Sequence, residues 1–392
     1  MRYQTGTLRV GSLTMGSGSL KQAGEEAKKL IKPGAEAKAL IVCGSVMGKS
    51  PAYSELVSSL EATGIKADQF AEVEPEPSMP TGQRCSDMLH EGGYSLVIGF
   101  GGGSALDVAK IASVTAGRGN IADWAGIGKI PSKGVPMLFI PTTSGSGSEA
   151  TLSALLTDFT AGGIKKGFVS PYMLPDSVII DPMTTLSLPP KSTAATGIDA
   201  LIHALEAFVS RRANPVTDAL ALEAIRKIAA NLRKAYANGD DIEAREAMAA
   251  ASFMAGMSIG NAGLGLVHGM ALPMGGIFGI THGIANAVLL PFVLEFNVMA
   301  APEKYAMAAE AMGEPMDGLT LLEKARSVVF AVNELMDDID IPRSAAEVGV
   351  PESALDDLAQ HAMNNRRLVD VNPRQPSLAQ IRTLFQQSWQ GR

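Results

Sequence analysis

Four side chains in the second half of the chain have the types and spacing of a divalent-metal site. Asp199 and His203 lie in the run Thr196-Gly-Ile-Asp-Ala-Leu-Ile-His-Ala-Leu-Glu206, which is apolar and helix-favouring. Residues four apart share one helix face, so the carboxylate and the imidazole point the same way. Two more imidazoles follow in apolar sequence, His268 after Gly265-Leu-Val and His282 after Pro273-Met-Gly-Gly-Ile-Phe-Gly-Ile-Thr. The chain has five histidines, and three of them fall in these stretches. Asp199, His203, His268 and His282 are therefore the predicted ligands of one metal ion. The competing reading is that Asp199 and His203 only satisfy each other's hydrogen bonds, as buried polar pairs commonly do.

A second kind of chemistry is written into two loops. Gly101-Gly-Gly-Ser104-Ala-Leu-Asp107-Val-Ala-Lys110 follows the apolar run Leu96 to Phe100 and opens a helix. Glycines at a strand-to-helix turn let backbone N–H groups approach an anion, and the helix N-terminus adds partial positive charge. Gly102, Gly103 and Ser104 thus read as a pyrophosphate cradle, although the spacing is not G-x-G-x-x-G. A simple tight turn is the alternative. Asp107 is counted with the cofactor-binding set; otherwise it pairs with solvent or with Lys110. The second loop, Pro141-Thr-Thr-Ser-Gly-Ser-Gly-Ser-Glu149, packs hydroxyls and glycines directly behind Leu138 to Ile140 and suits the phosphates and ribose of the same cofactor. Gly44-Ser-Val-Met-Gly48-Lys49-Ser50 resembles a P-loop but is one residue short between its glycines, which argues against ATP hydrolysis. The first sheet strand ends in Cys43-Gly44-Ser45, with no acid for an adenosine ribose and Lys49 nearby. That leans towards NADP over NAD.

The elements that position these residues fall into two kinds. Up to about residue 188, short apolar runs alternate with helical patterns: Ala39 to Cys43, Ser95 to Phe100, Val135 to Ile140 and Ser177 to Ile180 read as buried strands, and Thr5 to Gly11 as a further extended stretch. Helices are expected at Leu20 to Leu30, Tyr53 to Thr63, Gly82 to Gly92 and from about Ala105. Lys66 to Val73 reads as extended, and the proline-rich 74–80 as a stiff connection. Alternation of this kind means a parallel sheet covered by helices. After Pro189-Pro190 nearly everything is helix-compatible. The expected domains are 1–188, an α/β nucleotide-binding unit, and 189–392, an all-α metal-binding unit.

With 392 residues, 46% hydrophobic and 19% charged, the chain has ample core for two domains. A net charge of -7 without a basic cluster argues against nucleic acid as a partner. Cys43 and Cys85 supply no disulfide framework and suit a reducing cytoplasm, and no secretory leader is visible at Met1-Arg-Tyr-Gln-Thr. The span 247–294 contains no Asp, Glu, Lys or Arg, long enough for two membrane spans, yet its glycines, Pro273, Pro291, Asn261 and Asn286 favour buried helices of a soluble domain.

Together, Gly101 to Lys110, Pro141 to Glu149, Asp181 through Pro189 to Glu206, the His268/His282 stretch and the late Asn372-Pro-Arg374 carry a resemblance over essentially the whole chain. The sequence resembles the iron-dependent (group III) alcohol dehydrogenase family, in its 1,3-propanediol dehydrogenase and lactaldehyde reductase branch. The resemblance implies a Rossmann-like N-terminal domain, a helical C-terminal domain of dehydroquinate synthase-like architecture, and a metal and nicotinamide in the cleft between them. It assigns Asp199, His203, His268 and His282 to the metal and Gly102, Gly103 and Ser104 to the pyrophosphate. Thr142, Thr143 and Ser146 would contact the phosphates, ribose and nicotinamide, and Lys165 the ribose. Gly44 stands where NAD-preferring members carry Asp. Leu272, four residues after His268, stands where many relatives place a second histidine or a small polar group, so a proton relay here would need water, a ribose hydroxyl or another side chain.

The implied reaction is hydride transfer between a primary or secondary alcohol, such as a short-chain alcohol or diol, and NAD(P). A metal ion would act as the Lewis acid for the alcohol or aldehyde oxygen. The donor set does not separate Fe(II) from zinc; the family favours iron. The partner is a small alcohol or aldehyde, with no nucleic acid and no membrane, and family members are often homodimers or larger. The alternatives are a dehydroquinate synthase-like lyase, which needs a Lys/Arg cluster at the metal, and a non-catalytic cofactor-binding paralogue.

Overall fold

The computed structural model describes residues 11–392, so all but the last residue of the extended stretch expected at Thr5 to Gly11 lies outside the described residues. The chain divides into two compact units, one ending at Ser187 and one running from Leu188 to Arg392.

The N-terminal unit is built on a six-stranded sheet. Its strands are β1 (Ser12–Met15), β2 (Lys38–Val42), β3 (Lys66–Phe70), β4 (Leu96–Gly101), β6 (Met137–Pro141) and β9 (Ser177–Ile180), in the order β1-β9-β6-β4-β2-β3. Every pairing in it is parallel. The apolar runs alternate between two cores. Leu40, Val42, Val97 and Phe139 face one cluster, which takes in Cys85 and Leu89 of helix α3 (Met79–Glu91) and Leu106 and Ile111 of α4 (Gly103–Thr115). Ala39, Ile41, Ile98 and Leu138 face the other, with Ala23 and Ala27 of α1 (Ala23–Leu30) and Leu56 and Leu60 of α2 (Pro51–Ala62). Strands apolar on both faces need helices on both faces, which is why the runs are continuous and not alternating with polar residues.

One sheet has no counterpart in the sequence reading. β5 (Gly126–Ile127), β7 (Ser153–Asp158) and β8 (Ile164–Val169) form a small three-stranded sheet in the order β5-β8-β7, with β7 and β8 antiparallel. The run Ile-Lys-Lys-Gly-Phe-Val lacks the apolar content of a buried strand, because most of it stays partly exposed. The proline-rich connection is docked here: Thr157 donates its N–H to Pro77 O at 2.7 Å, and Lys165 of β8 pairs with Glu76.

What ties this sheet to α4 is Lys110. It is fully buried and its ammonium donates to the carbonyls of Ser148 (2.6 Å), Thr151 (3.1 Å) and Ser153 (2.8 Å) and to Thr151 Oγ1 (3.0 Å). Burial pushes Lys110 down to about 8, with Asp107 and Glu149 pulling the other way. Glu149, 3% exposed, is pushed up by burial to about 7.

The C-terminal unit is helical among the described residues. α5 (Pro190–Val209), α6 (Pro215–Ala237) and α7 (Ile242–Ala262) pack together, followed by α8 (Leu266–Phe278), α9 (His282–Ala287) and α10 (Leu290–Val298). The remaining helices of eight or more residues are Pro302–Met312, Leu321–Asp338, Leu355–Asn364 and Leu378–Gln390. From Thr193 onward α5 is buried almost all round, as its Ala- and Ile-rich sequence requires. The uncharged span becomes α7, α8 and α9. No single described helix is long and apolar enough to cross a membrane; α7 and α8 reach that length only as a pair bent by 104°.

Replacing Lys110 by methionine fills the same space but strips four acceptors of their donor. We expect K110M to lower unfolding free energy by about 3 kcal/mol, the order of a lost buried charged hydrogen-bond set, seen as a lower urea midpoint for the N-terminal unit. An unchanged midpoint would show that the loop holds itself.

Candidate functional site

Two constellations can do chemistry, one in each unit. In the N-terminal unit the register of β4 on β6 pairs Gly101 with Pro141, so the loops that leave these strands start side by side. Thr142 donates its N–H to Gly101 O at 3.0 Å, and α4 begins at Gly103. A Cβ at Gly102 would lie 3.2 Å from Thr143 Oγ1, and one at Gly103 only 2.7 Å from Ser146 Oγ. A side chain at residue 103 would force Ser146 to shift, and one at residue 102 would crowd Thr143. Gly102, Gly103 and Ser104 are partly exposed and stand at the helix N-terminus, where free N–H groups and the helix dipole favour an anion. Thr142 is buried, while Thr143 and Ser146 of the second loop border the glycines.

Two other residues of the expected cofactor set are engaged inside the protein. Asp107 accepts from Ser148 Oγ at 2.6 Å and from the Leu155 N–H at 2.8 Å, so its carboxylate fixes the second loop and β7. Lys165, 9% exposed at its side chain, is paired with Glu76. Gly44 follows β2, partly exposed, and a Cβ there would meet only Val73 O, at 3.2 Å. Lys49 is exposed in the short helix that follows.

In the C-terminal unit, α5 presents Asp199 and His203, α8 presents His268 in its first turn, and α9 opens on His282. One ligand atom from each lies within 4.8 Å of the others. From Asp199, the Nε2 atoms are 3.8 Å (His203), 3.7 Å (His268) and 4.0 Å (His282) away. The His203 and His268 rings stack at 4.8 Å, and His268 and His282 tilt at 5.3 Å. Asp199, His203 and His268 are at most 4% exposed, whereas the His282 side chain keeps 30%, leaving one side open to a small ligand.

Close packing brings these helices together. A Cβ at Gly283 would sit 2.1 Å from Ala195 O and 3.4 Å from Asp199 Cβ, so α9 reaches α5 only because residue 283 has no side chain. A second set of polar groups stands behind the cluster. Asn286 donates to Asp199 Oδ1 at 3.0 Å and lies 3.1 Å from His282 Nε2. Glu206 lies 2.6 Å from His268 Nδ1. Neither was singled out from sequence. The available signal was spacing: Asn286 is four residues after His282 and Glu206 three after His203, each on the helix face of a ligand, although Glu206 itself meets His268 of α8.

The electrostatics suit a cation. Burial works against a charge on Asp199, but the three imidazoles and Asn286 outweigh it and hold its carboxyl below the ordinary value. Burial pushes His203 down to about 4, so its ring is neutral with a lone pair to give. His268 Nε2 is buried without a hydrogen-bond partner, a costly state unless something binds it. One carboxylate and three imidazoles are the donor set of a borderline divalent ion, Fe(II) or zinc. These residues fit a metal ion, and His268 Nε2 is the atom that most needs one. Leu272, partly buried, follows His268 by one helical turn on the same face and offers no proton.

A parallel-sheet unit with an anion-receiving loop pair, joined in one chain to a helical unit with a carboxylate–imidazole cluster, defines the class of metal-dependent nucleotide-using enzymes. Comparison with known proteins gives the family. Residues 11–182 match the iron-containing alcohol dehydrogenase family and residues 193–389 the C-terminal part of the Fe-containing alcohol dehydrogenase family. The sequence is 40% identical to sulfoacetaldehyde reductase of Bilophila wadsworthia (strain 3_1_6), over 97% of this chain and 98% of that one. A crystal structure of 1,3-propanediol oxidoreductase superposes with a TM-score of 0.94 at 37% identity, covering 98% of this chain and 100% of the other. The structure of a Bifidobacterium kashiwanohense sulfoacetaldehyde reductase in complex with NAD+ matches with a TM-score of 0.87 at 26% identity, over 98% of each chain. The chain belongs to the iron-containing alcohol dehydrogenase family, and it acts as a metal-dependent alcohol dehydrogenase or aldehyde reductase.

Giving Gly283 a methyl group forces α9 off α5 and carries His282 with it. G283A should retain its helical circular dichroism yet lose metal on dialysis and about 100-fold in kcat/KM, the scale of an ångström misplacement. Full metal retention would show that α9 can be displaced without cost.

Proposed function

We propose that this protein interconverts a short-chain alcohol or diol and its aldehyde, with Fe(II) at Asp199, His203, His268 and His282 and NAD(P) as the hydride carrier. The observation that carries the reading is the buried four-residue cluster with its orphaned imidazole nitrogen. When bound, Fe(II) supplies Lewis acidity for the substrate oxygen, and the nicotinamide supplies the hydride. The chain's own contribution is orientation and charge. Asp199 offsets the cation, His203 gives a neutral nitrogen from a dry interior, His268 presents the orphaned Nε2, and the more open His282 side leaves room for the substrate. Leu272 extends the apolar surface along α8 and offers no proton, so a proton relay would need water, a ribose hydroxyl or another side chain. The absence of any charged residue between 247 and 294 leaves α8 and α9 without a basic cluster, which supports the oxidoreductase over a lyase acting on a sugar phosphate.

The cofactor reading leans towards NADP, supported by Gly44 and the exposed Lys49 after β2. Gly102, Gly103, Ser104, Thr142, Thr143 and Ser146 are assigned to the cofactor, with Lys165 reaching the ribose once released from Glu76. We further infer a homo-oligomer: among the described residues β1 is an edge strand that exposes Leu13 (41%) and Met15 (42%). The two buried free thiols, Cys43 and Cys85, suit a reducing cytoplasm.

Purified protein loaded with Fe(II) should oxidise reduced nicotinamide with a panel of short aldehydes, sulfoacetaldehyde and lactaldehyde among them. Chelation should abolish the activity and Fe(II) restore it, and D199N should cost at least about 1,000-fold, as several kcal/mol of charge stabilisation are lost. Activity that survives chelation and D199N would rule this reading out. Initial rates with NADH and NADPH decide the carrier. G44D is expected to reduce the NADPH rate at least about tenfold while sparing NADH, because a carboxylate accepts ribose hydroxyls and repels a 2′-phosphate. A wild-type preference for NADH would remove the lean to NADP.

A further inference from the structure

The carboxylate of Glu206 has no role in the reading so far, yet it is one of the most confined charges in the C-terminal unit. It sits on α5 with Asp199 and His203, at positions i, i+4 and i+7 of one face, and is 7% exposed. Among the described ion pairs its sole partner is His268, with Oε2 2.6 Å from Nδ1. Its other oxygen, Oε1, accepts the Val267 N–H at 2.7 Å. A buried carboxylate is expensive unless its lone pairs are met, and here both oxygens are spent on two adjacent residues of α8.

The surroundings are shaped for this contact. The N-cap of α8 is Gly265, which has no side chain with which to cap the helix. A Cβ there would lie 3.0 Å from Glu206 Oε1 and 3.3 Å from Asn372 Oδ1, so a side chain at residue 265 would crowd both. They supply the missing cap from elsewhere in the chain: Glu206 takes the Val267 N–H, and Asn372 Oδ1 the Leu266 N–H at 3.3 Å. Asn372 is itself held by Asn297 and by the carbonyl of Arg374. The first turn of α8, which carries His268, is thus fixed in rotation and height.

A carboxylate next to Nδ1 settles which nitrogen carries the proton. A carboxylate only accepts, so Nδ1 carries the proton of this contact, and in the neutral ring the lone pair then falls on Nε2, the buried atom without a partner beside Asp199. We propose that Glu206 is a positioning residue of the metal centre: it fixes the tautomer and ring plane of His268 and thereby sets how tightly the four ligands hold a divalent ion. The carboxylate acts through His268 and touches neither metal nor substrate. This inference rests on the metal-centre reading above. A carboxylate behind a metal-bound histidine contributes through ligand basicity and orientation, and losing one weakens binding by roughly 10- to 100-fold.

The test uses the full-length apoprotein and Co(II) as probe, with affinity read by chelator competition and ligand geometry by the visible absorption of bound cobalt. E206L removes the acceptor. E206Q keeps the shape and an oxygen for Nδ1–H but loses the charge. E206L should bind Co(II) about 100-fold more weakly with an altered spectrum, and E206Q about tenfold more weakly with a spectrum nearer wild type. Apoprotein melting and circular dichroism separate this from a folding defect. A lost cap alone lowers the melting temperature and leaves cobalt affinity and spectrum unmoved. If E206L does not fold, E206Q alone decides: affinity within twofold of wild type with an identical spectrum overturns the proposal. Wild-type protein that takes up no Co(II) overturns the metal centre itself, whereas wild-type uptake matched by both variants overturns only the role of Glu206.

Discussion

An aspartate and three imidazoles held in a dry helical interior are an arrangement that folding by itself disfavours. Each loses water, and one of them, His268 Nε2, finds no replacement within the protein. The surroundings are built to impose this. α5 is buried almost all round, α8 is capped by side chains from other elements, and α9 is drawn against α5 over a glycine. A divalent cation would relieve this at His268 Nε2, the ligand nitrogen that is buried without a hydrogen-bond partner. Stability, metal binding and reactivity are therefore coupled in the same few residues.

The same logic explains why small residues crowd this half of the chain. At Gly283 and Gly265 a Cβ would fall on a backbone carbonyl or on the carboxylate that orients a ligand. Gly197 lies two residues before Asp199, where a Cβ would come within 2.3 Å of a Leu232 methyl. The absence of charge from 247 to 294 follows from burial, and the helices there are the walls of a site in place of membrane spans. Small side chains let backbones approach, and backbone approach is what sets ligand distances.

In the N-terminal unit the governing constraint is register. Pairing Gly101 with Pro141 places two loops at one end of adjacent strands, the end at which parallel sheets receive ligands. Lys110 then fastens the end of the second loop and the start of β7 by donating to the carbonyls of Ser148, Thr151 and Ser153, while Asp107 accepts from Ser148 Oγ. These two charged residues hold the shape of the loop.

The architecture was legible because its signals are local. Short apolar runs, followed by glycine at β2 and β4, read as β2, β4, β6 and β9, and the end of strand-like sequence after Pro189 separated the sheet from the helices. Rare residue types in apolar sequence made Asp199, His203, His268 and His282 stand out, and the comparisons place the chain in the family that those motifs resemble. The short sheet of β5, β7 and β8 escaped notice, since Ile164–Val169 carries two lysines and a glycine and stays half-exposed. That Glu76 reaches Lys165 and Ser148 reaches Asp107 is not legible in sequence, because those contacts join distant segments. The amino-acid sequence by itself determined which side chains could bind metal and phosphate, since type and helical period are properties of neighbours along the chain. Only the tertiary structure decided what stands behind them. Glu206 meets His268 across 62 residues and Asn286 meets Asp199 across 87, and contacts over such separations exist only once the helices have packed.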